Sequence, residues 1–208
     1  MRIEKLSTTP DRVGRYQVRF DDGSTMRLYR QTVEDFGLYT GAELTTAEFD
    51  RLQEAAGQMS AKMRAVRIVS VSAVSKRDLT RRLVQKGEDP EQAEAAVQWM
   101  TDLDLLDDRK TAEQIVSRCI HKGYGLSRAK QALYEKQIPK SLWDEALADY
   151  PEQNTYIREY LCRNLTGDAD QKQVKKAIDA LMRRGHSYRA IRRELDELSL
   201  ETQDFLEE

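Results

Sequence analysis

One helical unit recurs along this chain, and that repetition constrains the fold more than any single motif does. The clearest copy spans residues 106–139, with two helical segments joined at Gly123-Tyr124-Gly125. Apolar residues of the first segment recur three, four, seven and eight positions apart, namely Ala112, Ile115, Val116, Cys119 and Ile120. This spacing predicts a helix with one apolar face.

Two further copies flank this stretch. Aligning Leu83, Leu133 and Leu195 brings Ser75, Gly125 and Ser187 to the same helix-start position, 50 and 62 residues apart. Lys122-Gly-Tyr-Gly and Arg184-Gly-His-Ser are both junctions of a basic residue, glycine, an aromatic ring and a small residue. The sequence therefore predicts a mainly α fold of tandem three-helix repeats that form an elongated, curved array.

The first 60 residues have a different pattern. Tyr16, Val18 and Phe20 alternate with polar residues before Asp22-Gly23, which predicts a β-hairpin, and residues 2–6 offer a third strand. Thr45 and Glu48 form a capping-box pattern that predicts a helix to about position 59. We therefore predict a hairpin-plus-helix module over 1–60, followed by repeats over 61–106, 107–150 and 151–208.

Individual helix bounds follow from caps and breaks. In the first repeat, Ser75 with Asp78 marks one helix start, and Asp89-Pro90 marks the next. In the second repeat, the third helix is predicted to begin near Ser141. The third repeat is predicted to contain a helix over 156–165, a break at residues 166–168, two further helices, and a short separate helix over 201–208.

Composition limits the class of protein. The 208 residues are 39% hydrophobic and 34% charged, which suits an extended stack of helices better than a compact globule. The two cysteines, Cys119 and Cys162, have no paired spacing, and no signal peptide or long apolar run is visible. These features predict a soluble, cytoplasmic protein without a membrane segment.

Charge is unevenly distributed along the chain. Residues 61–140 carry a net charge of +5, whereas residues 1–60 carry −2 and residues 141–208 carry −5. The middle of the chain is therefore expected to meet an anionic surface, and the two ends are not.

Signatures of catalysis are missing from the sequence. It contains neither a phosphate-binding glycine loop followed by Lys-Ser/Thr nor an HExxH motif. His121 and His186 are interpreted as helix-end residues, Cys119 as a core thiol, and Asp107-Asp108 as a helix start. We therefore expect a protein that is not an enzyme, uses no cofactor or metal, and acts through its surface.

The order of these motifs resembles the RecX family, bacterial regulators of the RecA recombinase. The resemblance rests on Leu106-Asp107-Asp108, Lys122-Gly-Tyr-Gly, the segment 133–138, the Ser75–Gly87 pattern and the N-terminal hairpin with Phe36-Gly37-Leu38. It departs at Lys110 and Thr111, where the family often has an aromatic residue. It also departs at Gln137, where the first repeat has Gly87, and in the partly basic run 117–122.

The resemblance implies a non-enzymatic negative modulator that binds the RecA–DNA filament and limits filament growth, ATP hydrolysis and strand exchange. It implies the RecA filament as partner, with single- or double-stranded DNA as a further one, and a monomer is expected. Two alternatives are a helical-repeat protein that binds DNA directly and a generic helical scaffold for another protein. DNA binding that falls steeply with salt would distinguish the first of these.

Candidate contact residues are the basic positions of the central region together with one tyrosine. They are Lys76, Arg77, Arg81, Arg82, Lys86, Arg109, Arg118, Lys122, Tyr124, Arg128 and Lys130. Arg77, Arg81 and Arg82 lie off the apolar stripe of their helix and are expected to be exposed. Tyr124 is either a partner anchor or a residue packed across its turn. Trp99 and Trp143 are expected in the core.

Overall fold

The structure, a computed structural model, describes residues 1–165 and 169–204 and divides into two compact units, Met1–Leu106 and Asp107–Glu208. The first unit contains strands β1 (Ile3–Leu6), β2 (Arg15–Phe20) and β3 (Thr25–Tyr29) and helices α1 (Arg30–Asp35), α2 (Thr46–Val71), α3 (Lys76–Gln85) and α4 (Pro90–Asp102). The second contains α5 (Asp108–His121), α6 (Leu126–Glu135), a 3₁₀ turn (Lys140–Leu142), α7 (Trp143–Ala146), α8 (Asn154–Asn164), α9 (Gln171–Arg183) and α10 (Tyr188–Asp204).

The predicted hairpin and third strand form one antiparallel sheet in the order β1-β2-β3. Gly23 takes a φ of +82° in the turn between β2 and β3, a conformation that glycine adopts without strain. Ile3, Val18, Phe20 and Leu28 are buried on one face of the sheet, where Leu52 of α2 packs with them. The opposite face is left to polar residues.

Helix α2 begins at the predicted capping box, because Thr45 Oγ1 accepts from Glu48 N–H and Glu48 Oε2 accepts from Thr45 N–H. The predicted end near position 59 is wrong, since the helix continues unbroken to Val71. Gly57 does not interrupt it. A Cβ at Gly57 would lie 2.3 Å from the side chain of Gln92, so the glycine lets α4 approach closely.

The first repeat has a core of its own. The C-terminal half of α2 packs with α3 and α4 through small and medium apolar residues, including Ala61, Ala65, Leu79, Leu83 and Met100. Trp99 is half-buried against this cluster. Because α2 also carries Leu52 of the N-terminal core, one helix serves both clusters. The division at position 60 stays a prediction.

The second repeat packs α5, α6 and the short α7 around Ala112, Val116, Ala129 and Leu133. Its third helix is shorter than the first two, a 3₁₀ turn followed by one turn of α-helix. Trp143 is half-buried there, and its Nε1–H donates to the carbonyl of Ile138 at 3.0 Å.

The third repeat packs α8, α9 and α10 around Ile157, Leu161, Leu181 and Ile191. Helix α9 begins at a second capping box, Asp170 with Gln173, which the sequence analysis did not identify. The predicted separate helix over 201–208 is wrong for residues 201–204, which continue α10. The predicted break at 166–168 lies outside the described residues.

Candidate functional site

Four of the candidate residues lie on α3, where a buried carboxylate organises two of them. Asp78 is fully buried, and Arg81 Nη2 donates to its Oδ1 at 2.6 Å. Arg82 Nη2 lies 2.9 Å from Oδ2. Arg77 and Arg81 are exposed as predicted, but Arg82 is half-buried because Asp78 draws its guanidinium inward.

The two arginines do not satisfy Asp78 equally. Among the described residues no donor is aligned on Oδ2, although Arg82 lies within ion-pair distance of it. Ser75 caps the same helix, its hydroxyl accepting from Asp78 N–H at 3.0 Å. Arg81 and Arg82 therefore stabilise a buried charge as well as present a basic surface, whereas Arg77 has only the surface role.

The other candidates belong to the second unit, except Lys86 at the end of α3. On α5, Arg109 forms an exposed ion pair with Glu145 at 2.8 Å, and Arg118 is exposed. Lys122 is exposed at the end of α5, with its Nζ 6.0 Å from the centre of the Tyr124 ring. Arg109 and Arg118 are nine residues apart, which places them on opposite sides of α5 rather than along one strip.

Tyr124 packs across its turn. It is half-buried against the core of the second repeat, and its carbonyl accepts from the Tyr150 hydroxyl at 2.5 Å. Burial raises the pKa of Tyr150 to about 12, so this hydroxyl remains a donor near neutral pH. On α6, Arg128 pairs with Glu135 at 3.2 Å, and Lys130 is exposed.

The two junctions that match in sequence also touch each other in space. Gly125 N–H donates to the carbonyl of Arg184 at 2.9 Å, and His186 Nε2 lies 3.0 Å from the carbonyl of Gly123. A Cβ at Gly125 would lie 2.1 Å from the carbonyl oxygen of Gly185. The absence of a side chain at Gly125 and at Gly185 thus permits backbone contact between the second and third repeats.

Aromatic and basic side chains complete this joint. His186 is buried and stacks on Tyr156, with ring centres 5.5 Å apart. Arg184 lies over the Tyr156 and Tyr160 rings and donates to the Tyr156 hydroxyl. Burial lowers the pKa of His186, and the positive charge of Arg184 acts in the same direction. His186 is therefore a neutral structural residue here, consistent with its interpretation as a helix-end residue.

A groove of about 1030 Å³ opens beside this joint. It is lined by the start of α6 at Gly125, by Tyr150 and Ile157, and by Tyr188 and Arg189 at the start of α10. Its arginines have acidic neighbours, since Arg192 pairs with Asp196 at 3.2 Å and Glu197 also lines the groove.

A second cleft, of about 490 Å³, lies in the first unit and brings together cations that the sequence analysis did not group. Arg15 and Tyr29 of the sheet, Arg64 and Arg67 of α2, and Arg82 and Lys86 at the C-terminal part of α3 line it. Only Arg82 and Lys86 were among the predicted residues. The sequence feature that could have indicated this cleft is the pair Arg64 and Arg67, which lie three positions apart on one helix.

Within residues 1–165 and 169–204, no group of three His, Cys, Asp or Glu residues is placed to hold a metal ion. Cys119 is buried in the core, and burial raises the pKa of its thiol, which disfavours the nucleophilic thiolate. No described helix combines the length and apolarity that a membrane crossing requires.

Comparison with known proteins identifies the relatives of this chain. The family model described as "RecX, second three-helix domain" matches residues 107–147, which are α5 to α7. A "Regulatory protein RecX" of Pseudomonas fluorescens is 32% identical over 140 residues, covering 62% of this chain and 88% of the relative. One of Clostridioides difficile is 25% identical over 203 residues, covering 95% of this chain and 94% of the relative.

A solved structure shares the fold. The "Crystal structure of regulatory protein RecX" superimposes with a TM-score of 0.60 at 22% identity, covering 94% of this chain and 98% of the other. The three-helix organisation, the matched second repeat and the relatives at 32% identity lead to one conclusion: this chain belongs to the RecX family of regulatory proteins.

Proposed function

We propose that this chain is a non-enzymatic negative modulator of the RecA recombinase. In this proposal it binds the RecA–DNA filament as a monomer and limits filament growth, ATP hydrolysis and strand exchange. Membership of a family whose members are named regulatory proteins is the observation that carries the proposal. The exposed cations of α3, α5 and α6 supply surfaces of the type expected for an acidic or DNA-flanked partner.

The contact residues are part of the proposal. Arg77 on α3, Arg118 on α5 and Lys130 on α6 are exposed, and none of them forms an ion pair within the described residues. Their charges are therefore available to a partner without breaking an internal pair. Arg81 and Arg82 are poorer test positions, because reversing them would place two more carboxylates beside buried Asp78.

The test is the ATPase activity of RecA on single-stranded DNA with increasing amounts of this chain. The unaltered chain should inhibit hydrolysis and co-sediment with filaments. Arg77→Glu and the pair Arg118→Glu/Lys130→Glu should each raise the half-inhibitory concentration about fivefold, or about 1 kcal/mol for each of the two regions.

Arg163→Glu is the matched control, an equal charge reversal at an exposed position of α8 that is not among the candidates. It should inhibit like the unaltered chain. Absence of inhibition and of co-sedimentation by the folded, unaltered chain would contradict the proposed function. Full inhibition by both variants would reject these contact residues but not the proposed function.

A further inference from the structure

The cleft in the first unit is unusual because cations from three separate elements converge on it. Arg15 comes from the sheet, Arg64 and Arg67 from α2, and Arg82 and Lys86 from α3 and its end. Three of these have acidic partners: Asp11 at 2.9 Å from Arg15, Glu88 at 2.6 Å from Arg64, and Asp78 at 2.9 Å from Arg82. Arg67 and Lys86 form no ion pair within the described residues, which leaves the cleft positive.

The positive surface continues from the cleft onto the sheet. Arg15 and Tyr29 are cross-strand partners, and Gln17 and Arg27 are the next such pair along the same face. Side chains two positions apart on a strand point to one side, so Arg27 lies on the face of Tyr29, away from buried Leu28. Tyr29 in turn accepts a hydrogen bond from Arg67. We call the residues Arg15, Arg27, Arg64, Arg67, Arg82 and Lys86 the basic track.

Buried acids hold part of the track in place. The side chains of Glu88 and Asp78 are 6% and 0% exposed, and they bind Arg64 and Arg82 from inside the unit. Arg64 Nη1 also donates to the carbonyl of Lys86 at 3.2 Å, which ties α2 to the end of α3. The guanidinium groups are therefore ordered before a ligand arrives, which lowers the entropic cost of binding.

The composition of the track favours phosphate over a protein surface. Arginine forks match the oxygen pairs of phosphates, and five of the six cations are arginines. Protein interfaces have an apolar centre, whereas nucleic-acid interfaces are polar and strongly positive. The centre of this cleft is cationic, and the markedly exposed apolar residues that line it are Val71 and Val13.

The shape of the cleft favours a single strand over a duplex. Arg15 and Arg82 are only 24% and 31% exposed, so a phosphate must enter the cleft to reach them. A flexible single strand places its phosphates there, while a rigid duplex contacts only the outer cations. Grooves that combine cations with an aromatic residue, here Tyr29, are typical of single-strand sites.

We propose that the basic track binds the sugar-phosphate backbone of a single nucleic-acid strand. The binding requires no recombinase, so this inference goes beyond the proposed function and does not depend on it. It assigns a ligand to the N-terminal module, whose residues 1–60 carry a net charge of −2 by simple count. One of the acids in this count, Asp11, pairs with Arg15, and Arg27 lies on the same face of the sheet as Arg15.

The test measures fluorescence anisotropy of a labelled oligothymidylate with the full chain, without recombinase, between about 50 mM and 200 mM salt. The unaltered chain should bind, with affinity that falls as salt rises. Arg27→Glu/Arg67→Glu should bind about tenfold more weakly at the lower salt. The slope of log affinity against log salt should shrink by about 0.7 for each phosphate that the variant no longer neutralises.

Arg51→Glu is the matched control, because Arg51 is exposed on the same helix as Arg67 and sixteen residues away, on nearly the opposite side. It should bind like the unaltered chain. Arg27→Glu alone, at a strand position whose side chain is exposed, should keep the fold by circular dichroism and show an intermediate reduction in affinity. This variant keeps the test decisive if Arg67→Glu unfolds the chain.

Competition identifies the ligand. Unlabelled single strand should displace the probe, whereas an equal charge concentration of duplex or of poly-glutamate should not. Equal displacement by poly-glutamate would overturn the choice of nucleic acid, and equal displacement by duplex would overturn the choice of a single strand. Unchanged binding by folded Arg27→Glu/Arg67→Glu, or no binding by the unaltered chain, would overturn the proposal itself. None of these outcomes depends on inhibition of RecA.

Discussion

The second helices of the first and second repeats begin at equivalent positions but are stabilised in different ways. At the start of α3, the Ser75 hydroxyl caps the helix, and Asp78 in its first turn receives Arg81 and Arg82 from the next turn. At the start of α6, Gly125 has no side chain, and its N–H donates to Arg184 of the third repeat. The start of α3 thus has a side-chain cap from its own first residues, and the start of α6 has a backbone hydrogen bond to a neighbouring repeat.

This difference shows that a glycine at a helix start can allow two repeats to approach closely. Serine is the better cap, yet at Gly125 even a Cβ would collide with the backbone at Gly185. The second repeat therefore gives up a side-chain cap in order to bring two backbones together. Equivalent positions in a repeat can thus serve either the helix itself or the contact with the next unit.

The largest expected effect tests the local arrangement in the first repeat. Arg81→Glu/Arg82→Glu should lower the free energy of unfolding by about 3–5 kcal/mol, because buried Asp78 loses its partners and gains repelling charges. Urea denaturation followed by circular dichroism measures the decrease. Arg77→Glu, on the same helix but exposed, should stay within about 0.5 kcal/mol of the unaltered chain. A double reversal as stable as Arg77→Glu would show that Asp78 does not need these arginines.

The next largest expected effect concerns the contact between the second and third repeats at Gly125. Gly125→Ser introduces the residue that the other two repeats have at this position and should cost about 1–3 kcal/mol, since the new Cβ would lie 2.1 Å from the Gly185 carbonyl oxygen. Hydrogen exchange should show faster exchange in α6 and at the start of α10. The reciprocal control, Ser75→Gly, removes the cap hydroxyl without adding an atom that collides, so it should cost less than Gly125→Ser. If the two substitutions cost the same, α6 would not depend on the third repeat in the way described.

The repeats and caps could be predicted because they are local. Ser75, Thr45 and Asp107 each accept from backbone N–H groups two or three residues ahead, a distance that sequence patterns cover. The family was likewise predicted from the order of short motifs. The extent of α2 could not be predicted, because its C-terminal half packs against α3 and α4, which lie further along the chain.

In the candidate surface too, local features could be predicted from the sequence and contacts between distant residues could not. Exposure of Arg77 followed from its position on the helix, but the inward position of Arg82 depends on a carboxylate, Asp78, that the helical pattern did not place in the core. The track was missed because charge was counted along the chain. Arg15 and Arg67 are 52 positions apart in sequence and line one cleft in the fold.

The smallest expected effect concerns the C-terminal ends of α3 and α6. Gln137 takes a φ of +53° after α6, where the first repeat has Gly87 at +87°. A left-handed conformation costs a residue with a Cβ about 1 kcal/mol, partly offset by the greater freedom of glycine in the unfolded chain. Gln137→Gly should therefore raise the free energy of unfolding by about 0.5 kcal/mol, measured by urea denaturation.

The reciprocal change, Gly87→Gln, should lower the free energy of unfolding by about 0.5 kcal/mol, because the same conformational cost and the same offset apply with the opposite sign. Nothing lies within 4 Å of a Cβ at Gly87, so no collision contributes to that cost. Opposite signs for the two substitutions would mean that the ends of α3 and α6 obey one backbone rule, although their starts are stabilised differently. Equal signs would mean that the Gln137 side chain contributes packing that outweighs its backbone strain.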